Sequence, residues 1–380
     1  MERENTESNI LLSMNKKKIL EKQKKLKVNF QNMSLFNKIL HTISKQIKEK
    51  SYKQTILVAG HDLKFIEGII EKLQNDNYKV LIDQWKRHDK HSAYKSRKLL
   101  KQADIIICEW CLGNAVWYSH NKLSHQKLIV RFHRQEIETT YPEKIKLNTI
   151  DKMVFVGPHY LRKALKKYGW RQEDKFVLIG NYVLSDTMNL PKDQNAKFHL
   201  GIVGIVPKMK RLDRALDILK ELRKKDTRFQ LYIKGKTAKD FPWMKDRPEE
   251  LEYYEKQDEH IGNSHYLKEA VHFDGFGKDM PIWYQKIGFI LSVSDFESFH
   301  LTVADGASSG AIPIILKWEG SDEIYPKVWS LKSIDEAVNK ILTLSKNDSK
   351  FAIEATQCQE YVQKFNLNNI YNEWSKLLKV

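Results

Sequence analysis

Cysteine is scarce in this sequence: Cys108, Cys111 and Cys358 are the only three among 380 residues. So odd and sparse a set excludes a disulfide framework and fits reduced thiols in a cytosolic protein. Cys108-Glu109-Trp110-Cys111 has C-x-x-C spacing, but no second pair follows at zinc-site spacing. Cys108 closes an apolar run and reads as a buried small hydrophobe. Long hydrophobic runs are also missing. No stretch approaches the ~18 apolar residues of a membrane-spanning helix. The first apolar cluster, Ile10-Leu11-Leu12, is too short for a secretory signal core. There is no zinc-finger, RRM or helix-turn-helix pattern, so nucleic acid is not an expected partner. There is no Asp-x-Asp motif for a catalytic metal either.

What is abundant is positive charge. Lysine and arginine exceed the acidic residues to give a formal net charge of +17. Such an excess favours polyanionic partners, whether nucleic acid, phosphorylated substrates or an anionic membrane surface, and by itself does not choose among them. Hydrophobic residues make up 41% of the chain, enough for each half of it to bury a core.

Residues 1–53 stand apart. They hold Lys16-Lys17-Lys18 and the run Lys22, Lys24, Lys25, Lys27, with no Gly or Pro. Leu35, Phe36, Ile39, Leu40, Ile43 and Ile47 recur at helical spacing. This predicts a basic helical extension that either lies on an anionic membrane through residues 16–53 or packs on the next domain with its lysines in water. From Gln54 the pattern changes to short apolar runs alternating with helical stretches. Strands are predicted at 55–59, 78–82, 103–108, 127–132, 153–156 and 176–179. The polar stretch 183–196 reads as a linker. Strands then resume at 198–206, 230–233, 270–273, 287–292 and 311–316, and a helical tail covers 351–378. Near-continuous apolar strands separated by helices predict parallel sheets covered on both faces. The expected fold class is therefore α/β, with two Rossmann-like doubly wound domains facing a cleft. The expected boundaries are 54–190 and 197–350, with 351–380 packing back toward the first domain. Ligands in such sheets bind beyond the carboxyl ends of the strands.

The most informative stretch runs from Ser294 to Ile315. A strand ends near Ser292, a loop carries Glu297, and a helix begins near Leu301 and stops at Gly310. Backbone N–H groups at such a helix start can hold a diphosphate. Glu297 in the loop and Asp305 on the helix can both face one cleft and accept hydrogen bonds from sugar hydroxyls.

This stretch resembles the C-terminal signature of retaining GT-B glycosyltransferases of the family 4 type (glycosyl transferases group 1). That signature is a Glu, seven residues, a second Glu, small residues, Gly, a spacer and Pro. Glu297, Gly310 and Pro313 match it, and Asp305 stands where the second Glu is expected. The resemblance implies that Glu297 contacts donor-sugar hydroxyls and that Asp305 holds the ribose. It also implies that Ser298, Phe299, His300 and Leu301 cradle the donor. Gly201 to Arg211 resembles the family's strand and basic loop, in which an Arg just after the Gly and a Lys five residues later grip the diphosphate. Gly204 and Lys210 match, but Ile205 occupies the Arg position. Either Lys208 or Arg211 could supply the missing charge. Gly235 resembles the phosphate-side glycine, and His272-Phe273-Asp274-Gly275-Phe276 resembles the approach to the nucleotide-base pocket.

In the first domain the resemblance is looser. Gly60, after the first strand, stands for the family's glycine-rich loop. His133, after the fourth strand, matches a His that the family commonly places near the donor sugar. Taken with Glu297 and Lys210, it completes the expected catalytic set. His61, Glu109, Trp110, Asn114 and Glu136 are acceptor-side candidates, and the aromatics there can either stack on sugar rings or belong to the core. The implied activity is metal-independent transfer of a sugar, with retention of configuration, from a nucleotide diphosphate. A UDP-sugar is favoured over a GDP-sugar, and no cofactor is needed. The acceptor would be a glycan, a cell-surface polymer or a lipid-linked chain, built in the cytoplasm or at the inner membrane face. A degenerate GT-B scaffold that binds without catalysis, kept open by Ile205, and a GT-B sugar-nucleotide epimerase are the alternatives.

Overall fold

The computed structural model describes residues 52–379. The predicted extension over 1–53, and with it the membrane reading of 16–53, lies outside the described residues apart from Tyr52 and Lys53.

Among the described residues, twelve strands form two parallel sheets. The first holds β1 (Thr55–Gly60), β2 (Lys79–Gln84), β3 (Ile105–Cys108), β4 (Lys127–Phe132), β5 (Lys152–Phe155) and β6 (Phe176–Leu178), in the order β2-β1-β3-β4-β5-β6. The second holds β7 (His199–Val203), β8 (Gln230–Lys234), β9 (Val271–Phe273), β10 (Phe289–Ser292), β11 (Ile312–Leu316) and β12 (Ser330–Leu331), in the order β12-β11-β10-β7-β8-β9. The central strands are largely apolar because helices cover both faces. Ile105, Ile106, Ile107 and Cys108 are all fully buried, and Ile312, Ile314 and Ile315 match them in the second sheet. β12, only two residues long, has no apolar run to announce it in the sequence.

In each sheet the chain leaves a central strand to one side and later returns to the other side of it. The crevices this opens lie between the carboxyl ends of β1 and β3, and of β7 and β10. The two sheets belong to one compact unit. The helix Pro158–Tyr168 of the first half reaches the loop after β10, where His159 Nε2 lies 3.1 Å from the Glu297 carbonyl oxygen.

The tail is two helices, Asp348–Val362 and Leu367–Lys379, where the sequence pattern predicts one. The break sits where Val183 takes a hydrogen bond from the Leu367 amide and gives one to the Phe365 carbonyl. The last helix lies on the first half: Tyr371 Oη donates to Asp76 at 2.7 Å, and Arg131 faces the ring of Trp374 at 5.8 Å. The charged stretch after β8 folds as two 3-10 turns and the helix Pro248–Asn263.

Candidate functional site

The second sheet's crevice is built from two loops. β7 exits through Gly204 and Ile205 into a 3-10 turn, Lys208–Lys210, and then the helix Leu212–Arg223. β10 exits through Ser292 to His300 into the helix Leu301–Ser308. The loops are tied by the Asp295 amide donating to the Met209 carbonyl at 2.9 Å. Across them Lys210 Nζ meets Glu297 Oε1 at 2.5 Å, and Ser294 Oγ donates to the same oxygen at 2.8 Å. Burial would raise the Glu297 carboxyl, but His300, Lys210 and the Ser294 hydroxyl outweigh it and hold it below its ordinary value. Among the described residues Glu297 Oε2 has no partner.

His300 caps the following helix in the left-handed conformation, at φ +54°. Its Nδ1 lies 2.6 Å from Ser292 Oγ, and its Nε2 lies 3.6 Å from Glu297 Oε1. Burial lowers its imidazole to about 4, so the ring is neutral at pH 7. Asp305, one turn into the helix, is partly buried, and no group pairs with its carboxylate among the described residues. Desolvation raises that carboxyl to about 7. Phe299 is a core residue, 1% exposed, whereas Ser298 and Leu301 are partly exposed at the helix start.

Gly204 and Gly235 adopt φ +72° and +124°. A Cβ on Gly235 would sit 3.3 Å from the Gly204 amide nitrogen, so the loops after β7 and β8 approach backbone to backbone. Ile205, where the resemblance leads one to expect an arginine, is 2% exposed and points into the interior. Of the two basic residues that could compensate, Arg211 is engaged elsewhere. Its guanidinium holds both Asp213 oxygens and Asp295 Oδ1 at 2.8 Å. Lys208 is exposed, and its ammonium is unpaired among the described residues. Beside this loop a cavity of about 280 Å³ has apolar walls from Ile205, Leu212, Leu251 and Phe273, with Thr237, Lys239, Glu255 and Asp258 also lining it.

The first sheet's crevice carries a different chemistry. Glu109, at the end of β3, is fully buried and accepts from His133 Nε2 at 2.9 Å and from Arg131 Nη1 at 3.2 Å. Burial would raise its carboxyl, but Arg131 and His133 together lower it. Arg131 also donates to the Phe65 carbonyl and to Asn181 Oδ1. Glu136 is fully buried, and its Oε1 takes the Cys111 and His133 amides. Burial pushes its carboxyl up. Asn114 donates to the Ala59 and Glu109 carbonyls.

Glu109, Asn114 and Glu136, expected to face an acceptor, therefore point inward and hold the loops after β1, β3 and β4 together. His61 and Trp110 stay nearer the crevice, with ring centroids 5.6 Å apart, and Trp110 lies 4.2 Å from His133. A Cβ on Gly60 would strike the Glu109 carbonyl at 2.9 Å, so this glycine serves close packing of β1 on the turn after β3. Cys108 and Cys111 are buried, free thiols pushed well up by desolvation, which suits packing rather than redox chemistry.

Four contributors go unread in the sequence. Arg131 interrupts an apolar strand, and a charge there must be paired, a signal the run Leu128-Ile129-Val130-Arg131-Phe132 does contain. Ser292 and Trp318 act on His300 only through the fold: Trp318 Nε1 donates to Ser292 Oγ at 3.0 Å. Tyr254, on the helix Pro248–Asn263, donates to the Ile205 carbonyl at 2.7 Å, and no local pattern announces that contact.

The sequence matches no protein-family model and no curated protein sequence. Its structure is similar to solved glycosyltransferases. HepE of Anabaena, solved in complex with UDP and glucose, superposes with a TM-score of 0.66 at 14% identity, covering 86% of this chain and 99% of that one. A glycosyltransferase from Rickettsia africae gives 0.64 at 16% identity, covering 86% and 98%. TarM gives 0.60 at 18% identity, covering 76% of this chain, which spans only 57% of TarM's length. At such identities the likeness defines the fold, and that fold is GT-B: two Rossmann-like α/β domains in tandem.

Proposed function

We propose that this chain is a retaining glycosyltransferase that moves a sugar from a nucleotide diphosphate to a glycan, cell-surface polymer or lipid-linked acceptor. The observation that carries the reading is the Lys210–Glu297 pair at the crevice between β7 and β10, beside the start of the helix Leu301–Ser308. A lysine and a helix N-terminus offer positive charge to a leaving diphosphate. The open oxygen of Glu297 offers an acceptor to a sugar hydroxyl. Asp305 sits one turn along that helix, where a ribose would lie, and the cavity next to Ile205 suits a base. HepE with UDP-glucose, and the pneumococcal transferase GtfA with UDP and GlcNAc, support a UDP-sugar as donor.

In this reading Lys210 and Lys208 balance the charge of the departing diphosphate, and Arg211 orients the loop through Asp213 and Asp295. Transfer proceeds without a metal, so chelator leaves turnover unchanged. His133, locked by Glu109 and beside the tilted ring of Trp110, borders the sugar from the first domain. The two domains close over the donor.

The test is donor hydrolysis followed by NMR of the released sugar. Glu297→Ala and Lys210→Ala are expected to lower turnover by about 100-fold or more, as loss of a charge-stabilising group does. The first-formed anomer is expected to match the donor's. Wild-type turnover in Glu297→Ala, or an inverted product, contradicts the proposal.

A further inference from the structure

We propose that His300 is a positioning residue for Glu297: its imidazole sets the carboxylate so that one oxygen is held by the protein and the other is presented to the sugar of the donor. The inference rests on the donor-site reading above.

The first observation is the backbone. His300 lies at φ +54°, ψ +70°, in the region that favours glycine. A histidine there is strained, and such strain persists only where the surroundings over-determine it. Tyr325 Oη supplies part of that constraint by donating to the Phe299 and His300 carbonyls at 2.9 and 3.2 Å. Glycine would make the same turn without strain, so the side chain itself calls for an explanation.

The second observation is the ring's hydrogen bonding. Trp318 Nε1 can only donate, so Ser292 Oγ accepts from it. Ser292 is fully buried, and the hydrogen on its Oγ has one acceptor within reach, His300 Nδ1 at 2.6 Å. The network therefore assigns the ring proton to Nε2, the nitrogen that faces Glu297 Oε1.

The third observation is asymmetry at the carboxylate. Lys210 Nζ, Ser294 Oγ and the His300 ring all converge on Oε1 at 2.5, 2.8 and 3.6 Å. The approach of His300 is too long for a hydrogen bond, so it acts through its N–H dipole and by filling the space behind the carboxylate. Oε2 stays free among the described residues. A chain from Trp318 through Ser292 and His300 thus orients the group that would read the sugar, while the nucleotide itself meets other residues.

The experiment measures affinity for UDP and UDP-glucose, and for GDP and GDP-mannose, by calorimetry, with melting temperatures in parallel. Three variants separate the roles. His300→Asn tolerates the left-handed backbone and can accept from Ser292, but presents nothing to Glu297. His300→Gly removes both ring and strain. His300→Gln carries its amide to the Nε2 position. The ratio of sugar-nucleotide to nucleotide affinity is expected to fall about tenfold in His300→Asn and His300→Gly, and to recover in part in His300→Gln. A wild-type ratio in His300→Asn and His300→Gly, whatever their melting temperatures, overturns this inference alone. A wild-type protein that binds none of the four ligands overturns the donor-site reading and this inference with it.

Discussion

Asp305 has a carboxyl raised to about 7 by desolvation. A folded-state value above the unfolded one means that the folded protein holds a proton the unfolded chain has lost between about pH 4 and 7. Stability therefore falls as pH rises through that window, and the full cost of the ionised group is present above 7. Asp305→Asn is expected to melt several degrees higher than the wild type at pH 8 and to lose that advantage near pH 4, as read by calorimetry at both pH values. Glu109 gives the opposite sign. Its lowered value contributes stability above the unfolded carboxyl range, and this is lost as pH falls through the lower folded value. Its partners are buried too, so Arg131→Ala, which leaves Glu109 charged and alone beside His133, is expected to cost about 3–5 kcal/mol in denaturant unfolding. Position was legible in the sequence: Glu297, Lys210 and His133 are expected to follow strands, and they do. Direction was not. The residue after a strand can face the crevice or turn under the neighbouring loop, and the pairings of Glu109 with Arg131 and of Arg211 with Asp213 and Asp295 decide which. The partners of Glu109 and Asp295 lie far off in the sequence.

At the scale of elements, the helix Pro248–Asn263 braces the loop after β7. Tyr254 holds the Ile205 carbonyl, Tyr253 Oη donates to Asp213 at 2.7 Å, and Glu250 accepts the Lys208 amide at 3.2 Å. One helix thereby fixes the turn that carries both Lys208 and Lys210. Tyr254→Phe is expected to cost about 1–3 kcal/mol, because the Ile205 carbonyl it leaves is buried. A melting curve together with donor affinity separates this loss of support from a loss of chemistry. The strands and the helix after Glu297 could be read from β-branched runs and a glycine stop. This bracing could not, since 236–268 is rich in charge and its apolar contacts, Ala238, Phe241, Met244, Leu251, Tyr253 and Tyr254, are spread over two turns and a helix. The tail misled for a related reason. No glycine or proline marks the break at Asn366, which is made by pairing with Val183 in the linker.

At the scale of the molecule, two parallel sheets present their carboxyl ends as crevices; His61, Trp110 and His133 follow strands of the first sheet, and Lys210, Glu297 and Asp305 follow strands of the second. The loop of Glu297 also touches the first half directly. A Cβ on Gly157 would meet the Ser298 carbonyl at 2.9 Å, and Arg134 stacks 4.6 Å over the ring of Phe296. Donor binding and domain closure would thus bear on one loop. The measurement that tests the account most directly is a thermal shift with UDP, GDP, ADP and their sugars. A ligand bound only by the folded state raises the melting temperature by mass action, by about 2.7 kcal/mol of stability at 100 times its Kd. The account predicts stabilisation by one nucleotide family, its sugar form included, and loss of the sugar nucleotide's stabilisation in Glu297→Ala. Equal stabilisation of the wild type and that variant by the sugar nucleotide, or no stabilisation of the wild type by any of these ligands, would contradict it.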